Sequence, residues 1–406
     1  MLSLATGVHA QTLPVPEVPS EETEPTDPTQ PADVPAQKRP RPPAWDYEAG
    51  VGGTWDSNIG FVQAEGDDGV AVIPRASLSR VFWNPRGEMT LRASGRWVGY
   101  PDQSDRSRAY GSFGLDGGYR SSPRTSWRFG ASYDLGYTDS SQVLQNQGVQ
   151  LAVSETSTLA ADLGLVRRLG ARTSLRVGGR FFRTEFESPE LFDGSSLRGT
   201  LSLEQGLGER STGALVYSLE NVMGGEAGDA YFTHYGSLQW TRVVTRRTAL
   251  LLEAGVGFTP DAARAGLDRE TSFFGGASLT REVGRSSLSL FVRHEVTPAF
   301  GTGVSRPQLR AGVGLDVPLG QKWEFRLGGT YVAAQEPDSP GGYPHSSDAS
   351  GALVFRVARA LAVSAESAYR RRGSSFGTPA IDGVSAGLYL TVRRPGPRVP
   401  RSPGRR

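Results

Sequence analysis

The chain has 406 residues, of which 37% are hydrophobic and 21% charged, and its formal net charge is +2. This near-neutral charge gives no bulk attraction to nucleic acid, and the absence of cysteine excludes disulfides, thiolate metal sites and cysteine nucleophiles. No apolar run approaches the roughly 18 residues of a membrane-spanning helix after the first dozen positions.

The chain begins with two segments that are not expected to belong to a folded domain. Residues 1–10 are interpreted as a signal peptide remnant, since an apolar run closes on Val8-His9-Ala10, a small-x-small cleavage pattern. Residues 11–44 are rich in proline and acidic residues, and such a segment cannot bury enough apolar surface to offset its ordering entropy. We predict a disordered periplasmic linker there.

Residues 45–393 repeat one pattern, in which apolar or aromatic residues alternate with polar or small ones. In 126–137, for example, Trp127, Phe129 and Tyr133 share one face and oppose Arg128 and Asp134. A period of two is that of a β-strand with one apolar and one polar face. The segments predicted as strands number eighteen, with sixteen as the alternative, and lie near 46–58, 70–83, 88–100, 108–120, 125–138, 154–168, 172–185, 195–207, 211–222, 230–244, 248–259, 269–283, 286–298, 306–318, 322–335, 347–359, 361–372 and 381–393.

The connections between these segments alternate between short and long. The short ones, such as 84–87 and 284–285, hold the glycine, proline and polar residues of tight hairpins, and the longer ones include 139–153. Outer-membrane barrels show this asymmetry, with short periplasmic turns and longer extracellular loops. The sequence therefore predicts an all-β chain that forms a single transmembrane antiparallel up-and-down β-barrel, integral to the cell outer membrane, with both termini periplasmic. Residues 394–406 form a basic, proline-rich tail.

Aromatic residues gather near the ends of the predicted strands. Membrane barrels carry such rings in two girdles at the lipid–water interfaces, where an amphipathic ring meets the headgroups. The residues predicted to form the girdles are Trp55, Trp83, Trp97, Trp127, Tyr137, Trp240, Trp323, Tyr331 and Tyr369.

The opposite face of the strands carries many charged residues in mid-strand positions. An eighteen-stranded barrel is wide enough for an aqueous channel, and a lumen of mixed charge with arginine in the majority suits a hydrophilic or anionic solute. The alternative is that these side chains pair across strands and stiffen the wall. The lumen candidates are Arg92, Arg96, Arg128, Asp134, Arg176, Arg180, Arg198, Glu204, Glu253, Arg310, Asp316, Arg326, Arg356 and Glu366.

No pattern in the chain indicates catalysis. Of the four histidines, His9 lies in the signal remnant, His345 in a loop, and His234 and His294 in strands on the predicted lipid side. No metalloprotease, phosphate-loop or nucleophile-elbow motif is present. We therefore expect no enzyme activity, no cofactor and no metal.

The opening strand, from Tyr47 to Val51 and on through Trp55 to Ile59, resembles the first strand of the porin-like barrels of exopolysaccharide secretion systems. The proline-rich leader followed by about eighteen strands is similar to the layout of those Gram-negative proteins. The resemblance implies an exit pore for secreted polysaccharide that works with a periplasmic polysaccharide-export protein. Other implied partners are the barrel-assembly machinery and outer-membrane lipid with lipopolysaccharide, and no nucleic acid is expected.

One departure from that family concerns the end of the chain, because the usual final strand stops at an aromatic residue, whereas here Leu388-Tyr389-Leu390 is followed by the basic tail. Two other functions stay open. The first is a general or selective diffusion porin for small hydrophilic solutes, with the long loop 139–153 folded inward as a constriction. The second is an outer-membrane barrel enzyme that acts on lipids.

Overall fold

The chain folds into a single β-barrel in the computed structural model. Eighteen strands make up nearly all of the described part of the chain. Their bounds are β1 Trp45–Asp56, β2 Gly69–Asn84, β3 Gly87–Val98, β4 Arg108–Ser122, β5 Thr125–Tyr137, β6 Glu155–Arg168, β7 Thr173–Phe186, β8 Gly194–Gly206, β9 Ser211–Gly224, β10 Ala230–Thr245, β11 Thr248–Phe258, β12 Thr271–Val283, β13 Ser286–Thr297, β14 Arg306–Leu319, β15 Trp323–Ala334, β16 His345–Arg356, β17 Leu361–Arg372 and β18 Ile381–Arg394. The structure describes residues 45–58, 68–138, 154–189, 191–224, 230–260, 262, 267, 270–297, 300, 306–334, 345–373 and 380–394. The predicted signal remnant, leader, tail and loop 139–153 therefore lie outside the described residues, apart from Arg394.

Each strand pairs antiparallel with the next one along the chain, and β1 also pairs with β18. The sheet is therefore closed, and no described strand is left with an unpaired edge. Closure is what a membrane requires, since an unpaired backbone group in hydrocarbon costs several kcal/mol. The predicted all-β, up-and-down barrel of eighteen strands is confirmed, and the alternative of sixteen is excluded.

The two ends of the barrel differ in the length of their connections. One end, called here the short-turn end, carries the eight tight turns that follow the even-numbered strands from β2 to β16. Trp45 and Arg394, the first and last strand residues, lie at this end too. The other end, the long-connection end, carries all the remaining connections. The predicted alternation is thus confirmed, while the assignment of the short-turn end to the periplasm stays a prediction.

The outer face of the barrel is apolar along its middle. Leu163 and Leu238 are 54% and 67% exposed there, and the residues beside them in sequence face the interior. Apolar residues that face outward on a closed sheet make the band that contacts lipid in an outer-membrane barrel. Among the described residues, no helix is long and apolar enough to cross a membrane.

Eight of the nine predicted girdle residues occupy outer-face positions, and seven of them form two groups. Trp127, Trp240 and Trp323 lie near the short-turn end, and the group at the long-connection end is Trp55, Trp97, Tyr331 and Tyr369.

One predicted girdle residue is corrected. Trp83 pairs with Glu88 at an inner-face position, because the strand register puts Phe82 on the outside instead. Tyr137 has the predicted outer-face register, at the long-connection end, and its ring packs against Tyr110 with centroids 5.7 Å apart.

Candidate functional site in the barrel lumen

The fourteen predicted lumen residues all occupy inner-face positions. Residues paired across antiparallel strands share a face, and each candidate is linked in this way to other inner-face positions. Arg180 and Arg198, for example, are direct cross-strand neighbours. The full set is Arg92, Arg96, Arg128, Asp134, Arg176, Arg180, Arg198, Glu204, Glu253, Arg310, Asp316, Arg326, Arg356 and Glu366.

One wall of the lumen is a charge network across β11 to β14. Arg293 lies 3.5 Å from Glu253 and 3.0 Å from Glu295, and Glu295 lies 3.7 Å from Arg310. Gln239 also donates a 3.0 Å hydrogen bond to Glu253. Each charge in this network has an opposite partner, so the wall there is cross-braced and close to neutral.

A second network lies near the short-turn end. Glu324 accepts from Arg326 and Arg356, each at 2.6 Å. On β7 and β8, Arg176 pairs with Glu204 at 2.6 Å. Arg92 likewise pairs with Asp116 between β3 and β4. Carboxylates thus pair with many of the lumen arginines. This agrees with the alternative interpretation, in which the charged side chains pair across strands and stiffen the wall.

Three arginines of the inner face each lie over a tyrosine ring of the same face. The guanidinium carbon lies 4.6 Å from the ring centroid in Arg75–Tyr389, 4.1 Å in Arg96–Tyr110 and 4.7 Å in Arg198–Tyr235. Such cation–π contacts restrict the orientation of the guanidinium group.

Two of these stacks come together in what we call the arginine–tyrosine cluster, made of Arg75, Arg96, Arg370, Tyr110 and Tyr389. Arg75 and Arg96 are direct cross-strand neighbours, and Arg370 lies on the nearby strand β17. Strand pairing across the closure of the barrel, through β1 and β18, brings these residues from opposite ends of the sequence to one wall.

The arginines of the cluster have hydroxyl and carboxylate partners. Arg75 donates to the hydroxyl of Thr391 at 3.1 Å and lies 3.7 Å from Glu366. Arg370 lies 3.6 Å from Asp56, and its direct cross-strand neighbour is Asp348. Carboxylates therefore lie among the guanidinium groups on this wall of the lumen.

A glycine of β1 makes room for the cluster. The ring of Tyr389 lies over Gly52, where even a methyl group would overlap the ring atoms. The ring of Tyr389 therefore lies close to the backbone, and Arg75 stacks on the same ring within the lumen. A side chain at position 52 would displace the tyrosine and with it the guanidinium plane.

At the long-connection end, the connection between β3 and β4 folds into the mouth of the barrel. Tyr100 is only 5% exposed and packs on Ala71, Val98 and Tyr389 of the inner wall. Burial raises the pKa of the Tyr100 phenol well above its ordinary value, and the carboxylate of Asp56 adds to the rise. Tyr100 is therefore a neutral phenol that partly covers the arginine–tyrosine cluster.

Phe300 also lies inside the mouth, against another part of the inner wall. It belongs to the connection between β13 and β14, is 8% exposed and stacks on Phe182 of β7 with ring centroids 5.6 Å apart. It also packs with Val222 and Tyr231. Since β7 and β13 are not adjacent in the barrel, Phe300 reaches inward past several strands. The loop predicted to constrict the channel, 139–153, lies outside the described residues, whereas Tyr100 and Phe300 pack against the inner wall at this end.

We predict that Phe300→Ala raises the single-channel conductance of the barrel in planar bilayers, because the ring that it removes occupies part of the mouth. Phe273→Ala is the matched control, since it removes an exposed ring from the outer face of β12. Equal conductance in Phe300→Ala and wild type would show that the ring does not limit passage.

Some glycines of the inner face make room for aromatic rings. The inner-face glycines Gly312 and Gly255 are covered by the rings of Phe291 and Phe274. Phe291 faces inward on β13 at a position where Gly312 leaves space for it. At other inner-face glycines, such as Gly114 and Gly164, an added side chain would meet no atom within 4 Å, so the wall there borders open space.

The strand histidines are on the outer face, as predicted. His234 lies 2.9 Å from the hydroxyl of Tyr217, and His294 lies 3.0 Å from the carbonyl oxygen of Phe273. Within the described part of the chain, no group of three or more histidine, aspartate or glutamate residues could hold a metal ion.

Residues 48–200 match a protein-family profile described as "Putative beta-barrel porin 2". The match covers β2 to β7 with most of β1 and β8, and includes Arg75, Arg96 and Tyr110 of the cluster. No curated protein matches the chain. The match and the closed barrel agree with an outer-membrane, porin-like channel protein.

The chain is similar to several solved structures at low sequence identity. OpdO of Pseudomonas aeruginosa is 14% identical with a TM-score of 0.46, over 86% of this chain and 97% of that one. OccAB4 of Acinetobacter baumannii is 11% identical with a TM-score of 0.43, over 86% and 98%. The siderophore receptor PirA of Pseudomonas aeruginosa is 7% identical with a TM-score of 0.46, over 86% and 80%.

Several cluster residues were missed by sequence reasoning, namely Arg75, Arg370, Tyr110 and Tyr389, together with Tyr235 of the third stack. A signal existed for Arg75, because the alternation of β2 puts it on the same face as Ser77 and Ser79. The stacking itself had no sequence signal, since Arg75 and Tyr389 are brought together only by barrel closure.

Proposed function

We propose that the barrel is an exit pore for secreted polysaccharide that carries anionic groups. The observation that supports this proposal is the set of three arginine–tyrosine stacks on the inner wall. Two of them lie side by side on β2 to β4 and β18, and the third lies on β8 and β10. A polymer that passes through the lumen would meet fixed guanidinium groups on more than one wall.

The chemistry of these stacks suits a charged sugar chain. A guanidinium group offers a planar fork of donors that matches carboxylates and can also donate to sugar hydroxyls. Elsewhere in the lumen, arginine and carboxylate side chains pair with each other. Paired charges stay hydrated yet bind a passing anion weakly, which favours release and continued movement.

The proposed orientation places the short-turn end and both chain termini in the periplasm. A periplasmic polysaccharide-export protein would then deliver the polymer to the short-turn end. Insertion would need the barrel-assembly machinery, and the outer band of apolar residues would contact outer-membrane lipid and lipopolysaccharide.

We predict that the double substitution Arg75→Gln and Arg96→Gln weakens binding of a soluble oligouronate by about tenfold or more, because a hydrogen bond to a charged group contributes about 1.5–3 kcal/mol. The measurement is the concentration of oligouronate that blocks half of the current in planar bilayers. A strain with this variant should also export less polysaccharide.

The matched control is Arg128→Gln, which removes an exposed inner-face arginine outside the stacks. It should change the block by much less than the double variant. Equal effects of the two would mean that lumen charge in general, and not the stacks, binds the anion. A deletion strain with normal surface polysaccharide would refute the export function itself.

A diffusion porin for small hydrophilic solutes is the second candidate, favoured by the family description that the N-terminal strands match. A deletion strain that loses uptake of small solutes but keeps its surface polysaccharide would support it. Both functions are transport rather than catalysis, and hydrolysis of phospholipid or lipopolysaccharide by the purified protein would instead support a lipid-directed enzyme.

A further inference from the structure

The short-turn end carries a ring of basic side chains. Each of its eight turns holds at least one arginine or lysine, and one turn holds two. We call this set the basic rim. Its members are Arg86, Arg124, Arg172, Arg210, Arg246, Arg247, Arg285, Lys322 and Arg359.

The charge of the rim is largely uncompensated by its own turns. Glu209 is the acidic residue that these turns contain. All nine basic residues are exposed, and none of them forms an ion pair with another described residue. The like charges of a closed ring repel one another and attract anionic groups. Both interactions are strongest at low salt.

The strongest concentration of acidic residues outside the barrel is joined to this same end. Residues 11–37 contain six carboxylates and no lysine or arginine, namely Glu17, Glu21, Glu22, Glu24, Asp27 and Asp33. The chain runs from them into Trp45, which lies at the short-turn end. The acidic segment and the basic rim are therefore on the same side of the membrane whichever way the barrel is oriented.

We propose that the acidic segment 11–37 docks on the basic rim of its own barrel. Asp33 and Glu17 precede Trp45 by enough residues to reach about 35 and 90 Å when extended at about 3.1 Å per residue, which spans the rim. Tethering makes the contact intramolecular, at an effective concentration on the order of millimolar. A free acidic partner in solution has no such advantage.

Docking would put a chain segment at the entrance that the proposed function assigns to the polymer, but the inference does not depend on that function. It needs only the charges of the rim, those of the segment and their attachment at one end.

The test uses the absence of native cysteine, which allows pairs of spin labels to be placed cleanly. One label replaces Thr26 within the acidic segment, as Thr26→Cys, and the other replaces Ala171 in a rim turn, as Ala171→Cys. The control pair joins Thr26→Cys to Pro189→Cys, which lies beyond the opposite end of β7. Distances are measured by double electron–electron resonance on the full chain in neutral detergent and in vesicles with anionic lipid.

We expect a short, defined distance for the rim pair at low salt and a longer one for the control pair. The rim distance should lengthen and broaden at 0.5 M salt, where the Debye length falls to about 4 Å. It should do the same when the six carboxylates are replaced by the matching amides. Two results would overturn the proposal. The first is a rim distance that does not change when the carboxylates are neutralised. The second is a short distance in detergent that is lost in anionic vesicles, which would show that lipid headgroups bind the rim instead.

Discussion

Replacing Arg370 by alanine is expected to lower the free energy of unfolding by about 3–5 kcal/mol, as is typical when one partner of a buried ion pair is removed. Arg370 is 7% exposed and Asp56 is 1% exposed, and their charged groups lie 3.6 Å apart. Without the guanidinium, the Asp56 carboxylate would remain buried without this cationic partner. It would still accept a hydrogen bond from the backbone N–H of Asn58. The measurement is guanidinium-induced unfolding of the barrel in lipid vesicles.

The control for this prediction is a double-mutant cycle with Asp56→Asn. If the cost comes from an uncompensated carboxylate, then the double variant should be more stable than Arg370→Ala alone, because no buried charge is left unpaired. A loss below about 1 kcal/mol for Arg370→Ala would place the pair among exposed, solvated ion pairs. The cycle also tests barrel closure, since Asp56 lies on β1 and Arg370 on β17, with β18 between them.

Replacing Leu163 by arginine is expected to destabilise the barrel by about 2–4 kcal/mol, the cost of a basic side chain on the lipid face near the middle of a membrane barrel. Leu163 lies near the middle of β6, faces outward and is 54% exposed to what would be hydrocarbon. The measurement is again unfolding in vesicles. In detergent, where water reaches the surface more easily, the loss should be smaller.

The neighbouring residue provides the control. Gly164 faces the lumen, and a side chain added there meets no atom within 4 Å, so Gly164→Arg should cost much less than Leu163→Arg. The same substitution at two adjacent residues would then cause losses of unfolding free energy that differ several-fold. Similar losses for the two variants would argue against a lipid-facing outer surface.

The two predictions concern different faces of the barrel: the first an ion pair of the inner face, the second an apolar residue of the outer face. The outer face is specified by apolar side chains that alternate with the lumen residues, as on β6 at Leu163 and Gly164. The inner face is specified by contacts between side chains that are distant in sequence. Arg370 and Asp56 are separated by most of the chain, and their contact exists because the first and last strands pair.

The sequence by itself determined the architecture of this protein. A period of two over long segments, with alternating short and long connections, predicted eighteen antiparallel strands, and the structure confirms them with ends shifted by three residues or fewer. The same alternation placed all fourteen lumen candidates on the inner face. This was possible because alternation is a local property of the backbone, and each residue carries its own preference for lipid or water.

Only the tertiary structure decided which of those inner residues act together. Arg96 was predicted from its own strand, but its neighbours Arg75, Arg370 and Tyr389 became visible as a cluster only when β18 was paired to β1. Trp83 is a different case, because the regular alternation of β2 already places it on the same face as Arg75, on the inner wall. Register and closure depend on pairing energies summed over the whole sheet, so no single segment of sequence carries them.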